Sequence, residues 1–325
     1  FGLAGRCIGR KAGGLEAGVA PKVSIQAGTL RLKDTAVHLP SLTVSTGTGA
    51  TFRAIPAEVP TLESLHLPPV IQKLCDYHQG MILVTGSTGT GKSTTLAAMI
   101  DLLNRTRKLN IISLEDPIEF VHRSKQAQII QRELGTHIPS FAEGVRAAMR
   151  EDPDVILVGE LRDADTIRMA MTAAETGHLV LGTLHTTSAV KTIDRMVDAL
   201  PAEEREQTKS FLSQSLLAVI TQLLVKSHDG RGRRAICEIM VMTKAIGKLI
   251  LTDQTHQLAS QLQMGKDFGM QMFDQALLAA VQAREIDPDD AFSYATEKRL
   301  LQKFVTDTTV LSRSMAVPAP PTPAS

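Results

Sequence analysis

The octapeptide GSTGTGKS, Gly86 to Ser93, meets the pattern G-x-x-x-x-G-K-[ST] at every fixed position. It stands directly behind the apolar run MILVT and ahead of TTLAAMIDLLN, which reads as a helix. Strand, glycine-rich loop and helix, in that order, are the setting a phosphate-binding loop requires. Gly86, Gly89 and Gly91 let the backbone wrap closely around phosphates. Successive N–H groups and the N-terminus of the next helix then face anionic oxygens. Ser87, Thr88 and Thr90 complete the loop, and Thr94 follows it. Lys92 is expected to reach the β- and γ-phosphates, and the Ser93 hydroxyl to ligate Mg²⁺.

Around this loop, strands and helices alternate. After ILVT come the apolar strand NIISLE, the helix PSFAEGVRAAMRED opened by a Ser140/Glu143 capping box, and the strand DVILVG. The helix DADTIRMAMTAAETG, closed by Gly177, leads to a fourth strand, HLVLGTL. This order predicts an α/β fold with a mostly parallel sheet covered by helices. Upstream, Val23 to Arg53 is rich in Thr, Ser and Val and alternates like a few strands with Gly-marked turns. PAEVP reads as a linker, and TLESLHLPPVIQKLCDYHQG supplies a short helix. Beyond about Thr208 the chain reads as mainly helical, with SLLAVITQLLV (Ser215 to Val225) as a buried helix and a turn at HDGRGRR. The start, FGLAGRCIGRKAGGLEAGVA, has no long apolar core and reads as truncated or poorly ordered rather than as a targeting peptide. The Pro-rich end, VPAPPTPAS, reads as disordered.

Composition excludes several classes. A formal net charge of +1 opposes a surface built to track nucleic acid, and 3% aromatic residues leave few base-stacking platforms. Cys7, Cys75 and Cys237 are scattered and predict neither a disulfide framework nor a zinc site. The apolar run at Ser215 to Val225 is too short to span a bilayer.

A second acidic group is needed near the magnesium, at the carboxyl end of another strand. VILVGE ends in Glu160, and IISLED ends in Glu115 and Asp116. His178 and His185 flank the fourth strand, and Arg231, Arg233 and Arg234 read as a charged hairpin tip.

The segments GSTGTGKSTTLAAMIDLLN, LEDPIEFVH, REDPDVILVGELRD, AAETGHLVLGTLHTTSAVKTIDRMVD and GMQMFDQAL carry a resemblance from about Thr51 to Val305. In order and spacing they resemble the type II/type IV secretion ATPases, in particular the type IV pilus retraction (twitching motility) ATPases of the PilT/PilU type. The resemblance implies a RecA-like P-loop ATPase core over residues 58–310. Before it would stand a partial or altered PAS-like α+β domain over 1–57, and after it a Pro-rich tail over 311–325. It implies ATP with Mg²⁺ as cofactors and a homo-oligomeric ring, a hexamer. Its partners would be an inner-membrane pilus platform protein and related pilus ATPases, with no nucleic acid. Its location would be cytoplasmic and peripheral to the bacterial inner membrane. Carried over, Glu115 would be the general base and Glu160 would organise Mg²⁺ through its waters. His185 would contact the γ-phosphate region, and Arg53 would act on a neighbouring subunit's nucleotide.

Two departures stand out. The arginine pair expected in a strand before Arg53 is not recognisable, with only Arg31 in LRLKD near it. In KAIGKLILTD, Gly247 and Leu251 replace the two arginines of the A-I-R-N-L-I-R-E motif of retraction ATPases. Extension-type relatives carry a four-cysteine zinc insert, which three scattered cysteines cannot build. Two rival readings remain: a RecA-like nucleic-acid motor, and an accessory ring subunit that binds ATP with little turnover.

Overall fold

The structure is a computed structural model. It describes residues 58–307 and, before them, the backbone of six short strands within 24–54. The expected poorly ordered start and Pro-rich tail lie outside the described residues. The chain divides into two compact units, Phe1–Val59 with Glu119–Val121 and Pro60–Ile118 with His122–Ser325.

In the first unit, β1 (Ser24–Gln26), β2 (Thr29–Leu32), β3 (Thr35–His38) and β6 (Arg53–Ala54) form an antiparallel sheet in the order β1-β2-β3-β6. A separate hairpin joins β4 (Ser41–Val44) to β5 (Gly47–Ala50). These are the strands that the Thr/Val alternation predicts. The helices of a PAS-like α+β domain are not among the described residues of this unit.

The second unit is built on seven strands. These are β7 (Gly80–Thr85), β8 (Asn110–Glu115), β9 (Gln128–Glu133), β10 (Val155–Val158), β11 (Leu179–Leu184), β12 (Leu216–Lys226) and β13 (Arg233–Val241). Their order is β13-β12-β7-β11-β10-β8-β9, with every neighbouring pair parallel except β12 and β13. Each central strand alternates between two cores. Met81 and Leu83 face one and Ile82 and Val84 the other; Ile156 and Val158 oppose Val155 and Leu157 in the same way. A strand covered on both faces must be apolar throughout, which is why β7, β10 and β11 read as unbroken runs.

The helices that cover the sheet follow from the same patterning. On one face lie α3 (Phe141–Ala148), α4 (Ala164–Glu175), α5 (Ala189–Asp198), α6 (Arg205–Ser215), α7 (Lys244–Leu251) and α8 (Leu258–Met264). On the other lie α1 (Pro69–Leu74) and α2 (Lys92–Thr106). The Ser140 hydroxyl accepts from the Glu143 N–H, as the capping box predicts, and Asp163 caps α4 through the Thr166 N–H. Gly177, at φ +110°, ends α4 without the strain a side chain would meet there.

One expectation is corrected. Ser215 to Val225 is not a buried helix: α6 stops at Ser215 and the run becomes β12, paired with β7 on one side and β13 on the other. A short apolar run has no period by which to tell strand from buried helix, and its Val219, Ile220, Thr221 and Val225 are β-branched. The chain beyond Thr208 is accordingly not mainly helical at first. The hairpin β12–β13 turns at the expected HDGRGRR, and a third small core joins Val225 and Ile236 to α9 (Phe273–Gln282), α10 (Pro288–Tyr294) and α11 (Lys298–Leu301).

The departure at Gly247 has a packing counterpart. A Cβ there would lie 3.0 Å from the Ser213 carbonyl oxygen, so glycine lets α7 lie close against α6. Leu251, at the end of the same helix, is exposed.

Candidate active site

β7 delivers the chain at Thr85 to the loop, and α2 begins at Lys92. Gly86, Gly89 and Gly91 adopt φ of +141°, +81° and +89°, the left-handed region that favours glycine. A Cβ on Gly86 would meet the Gln222 carbonyl oxygen at 2.4 Å and Thr90 Oγ1 at 2.6 Å, whereas one on Gly89 meets nothing within 4 Å. The loop is therefore clamped at its base and open at its crest. Gly86→Ala is expected to lower nucleotide affinity about tenfold, the cost of one strained backbone position. Titration with a fluorescent nucleotide measures it, and parental affinity would contradict the clamp.

Gln222, which the sequence shows only as an interruption of an apolar run, supplies that clamp. It is 3% exposed. From β12 its Nε2 donates to the Thr90 carbonyl oxygen (2.8 Å), and its Oε1 accepts from Thr95 Oγ1 (2.7 Å). The neighbouring Thr221 hydroxyl pairs with that of Thr85 at 2.9 Å. Thr221 and Gln222 thus hold the loop and the strand end before it from β12, a role no short-range signal announces.

Lys92 is buried beneath the loop, where its Nζ donates to the carbonyl oxygens of Gly86 (2.9 Å) and Ser87 (3.1 Å). No side chain caps α2. A phosphate is the partner that such a helix start accommodates. Ser93 is exposed at the second position of α2 and Thr94 follows it, half-buried. Mg²⁺ retains waters and needs only one or two protein oxygens beside those of the phosphates, so this donor set fits it.

The parallel sheet brings the other candidates to the same edge. Moving from β7 through β11 and β10 to β8, the strands' carboxyl ends deliver His185, Glu160 and Glu115 in turn. Gly159 fits tightly between them, since a Cβ there would lie 2.9 Å from the Leu114 carbonyl oxygen. His185 Nε2 lies 3.2 Å from Glu160 Oε1, and an Arg162 guanidinium nitrogen lies 2.7 Å from Glu160 Oε2. Burial opposes ionisation of Glu160, but Arg162 and His185 outweigh it and hold its carboxyl below the ordinary value of 4.5. The carboxylate's contribution is thus present above that value and is lost as pH falls through the lowered one. Removing the Arg162 charge raises it again. Arg162→Ala is therefore expected to move the acid limb of turnover to higher pH, and an unmoved limb would assign that limb to another group.

Glu115 is half-buried at the end of β8, and the following Asp116 is exposed. Ser113 Oγ (2.7 Å) and Gln131 Nε2 (3.0 Å) both donate to Glu115 Oε1. His178 does not join the site. Its Nδ1 lies 2.8 Å from the Ala173 carbonyl oxygen, where it finishes the end of α4. Arg53 opens β6, but its side chain lies outside the described residues.

A glycine-clamped phosphate loop on one strand, with acids at the carboxyl ends of two further strands of the same parallel sheet, defines a RecA-like P-loop ATPase core. The chain belongs to the type II/IV secretion system protein family, whose model matches residues 29–287. It is 54% identical to a "Twitching motility protein" of Neisseria gonorrhoeae over 75% of this chain and 66% of that protein. It is 53% identical to the "Type IV pilus retractation ATPase PilT" of Pseudomonas aeruginosa over 75% of this chain and 71% of that one. Among solved structures, the pilus retraction motor PilT with bound ADP superposes with a TM-score of 0.77 at 41% identity, covering 82% of this chain and 76% of that chain. The chain thus spans about two thirds of the length of the curated relatives it matches. Among the described residues, no helix is long and apolar enough to cross a membrane.

Proposed function

We propose that this chain is the ATP-hydrolysing motor of a type IV pilus system, driving pilus retraction as a homo-oligomeric ring, a hexamer. The observation that carries the hydrolytic reading is the row of strand ends running from the phosphate loop to His185, Glu160 and Glu115. The retraction reading rests on the names of the relatives.

In this reading Gly86 to Thr94 hold ATP, with Lys92 on the β- and γ-phosphates. Ser93, and Glu160 through water, would hold Mg²⁺, which would supply charge neutralisation. Glu115 orients and deprotonates the attacking water, and His185 contacts the γ-phosphate region beside Glu160. Arg53 stabilises charge on a neighbouring subunit's nucleotide. The division into an N-terminal domain over 1–57, an ATPase domain over 58–310 and a tail over 311–325 belongs to the same reading. So do a cytoplasmic location peripheral to the inner membrane and a pilus platform protein or related pilus ATPases as partners.

A second reading, an accessory ring subunit, is favoured by one observation: Gly247 and Leu251 stand on α7 where the resemblance leads one to expect arginines. Expression in a piliated bacterium lacking its own retraction ATPase separates the two. Restored twitching supports the motor, while ATP hydrolysis without twitching supports the accessory role. Phosphate release that required single-stranded DNA would overturn both.

A further inference from the structure

We propose that Gln131 is the residue that aims Glu115 at the attacking water, a positioning residue for hydrolysis. The inference rests on Glu115 acting as the base in the reading above.

The geometry begins with register. β9 lies at the edge of the sheet, parallel to β8, and pairs Ser113 with Gln131 and Glu115 with Glu133. Side chains alternate along a strand, so Ser113 and Glu115 share one face, and Gln131 lies on that face one strand over. The two ends of the Gln131 amide are told apart by their partners. Its Oε1 accepts the His122 backbone N–H at 2.8 Å, which leaves Nε2 as the end that donates to Glu115 Oε1 at 3.0 Å. Reversal would set an oxygen against the carboxylate and an NH₂ group against an N–H.

The Ser113 hydroxyl donates to the same carboxylate oxygen, so two donors from adjacent strands fix the rotation of the Glu115 carboxylate. Hydrogen bonds to an ionised acceptor are stronger than neutral ones, which suits them to hold a carboxylate in one orientation. His122 lies in the segment that follows β8, and its bond ties that segment, through one amide, to the candidate base. A general base misplaced by about 1 Å loses on the order of 100-fold in rate. Gln131 therefore acts on turnover and leaves the phosphate loop, on β7, undisturbed.

A purely structural role, stapling the segment at His122 to β9, makes a different prediction, and two variants separate the roles. Gln131→Met removes both bonds, whereas Gln131→Glu keeps an acceptor for His122 and loses the donor to Glu115. Both are expected to lower kcat about 10- to 100-fold with nucleotide affinity within about twofold of the parent. On a Glu115→Gln background, single-turnover rates with enzyme in excess are expected to show no further loss, because Gln131 acts through that carboxylate. Parental kcat in Gln131→Glu overturns the proposal, as does an equal loss with and without Glu115. A Glu115→Gln enzyme that turns over at the parental rate overturns the base assignment and this inference together. Loss in Glu115→Gln with none in Gln131→Glu overturns only the inference.

Discussion

Glu115→Gln is expected to bind ATP with an affinity within a few-fold of the parent and to lose turnover by about 10²–10⁴-fold. The carboxylate lies at the end of β8, three strands from β7 and its phosphate loop, so it contributes nothing to holding the phosphates. Its replacement keeps the size and an oxygen for the Ser113 hydroxyl, so the fold around it persists. What is lost is the capacity to take a proton from water, which matters only as the reaction proceeds. Binding by fluorescent-nucleotide titration and turnover by phosphate release read the two quantities separately. Parental turnover would move the base role elsewhere, with Glu160 next in line.

Lys92→Ala is expected to give the opposite pattern, a fall in ATP affinity of about 10- to 100-fold. A hydrogen bond to a charged group contributes about 1.5–3 kcal/mol, and about 1.4 kcal/mol is a factor of ten in affinity. Lys92 also donates to the carbonyls of Gly86 and Ser87, so its loss loosens the loop itself. The same titration tests this, and unaltered affinity would mean that backbone N–H groups alone carry the phosphates. Together these two outcomes would assign ground-state binding to Lys92 and the chemical step to Glu115.

Much of this site can be read from the sequence because its signals are local. GSTGTGKS specifies glycine conformations within eight residues, and Ser140 and Glu143 specify a helix start within four. The apolar runs of β7, β8, β10 and β11 are strands covered on both faces, and their order against the helices implies the parallel sheet. What escaped is what depends on distant pairing. From its sequence β12 reads as a helix because its run lacks a period, and only its neighbours β7 and β13 decide the matter. Gln222 reaches Thr90 across 132 residues of chain, and nothing near it in the sequence announces that contact. β9, QIIQRE, is an edge strand with a half-polar face, so it falls below the contrast that marks the central strands. Gln131 lies on that strand.

Turnover per chain against protein concentration, with particle size recorded on the same samples, checks whether this chain hydrolyses ATP as the proposed ring, in which neighbours complete one another's sites. The phosphate loop, Glu115 and Glu160 lie within one unit, so in the proposed reading a single chain is expected to hold the nucleotide. An arginine supplied by a neighbour is worth about 10³–10⁵ in rate. Slow turnover is expected in dilute monomer, with a steep rise as rings form in the presence of ATP and loss of that rise in Arg53→Ala. High turnover in a sample shown to be monomeric, unchanged by concentration and by Arg53→Ala, would contradict it.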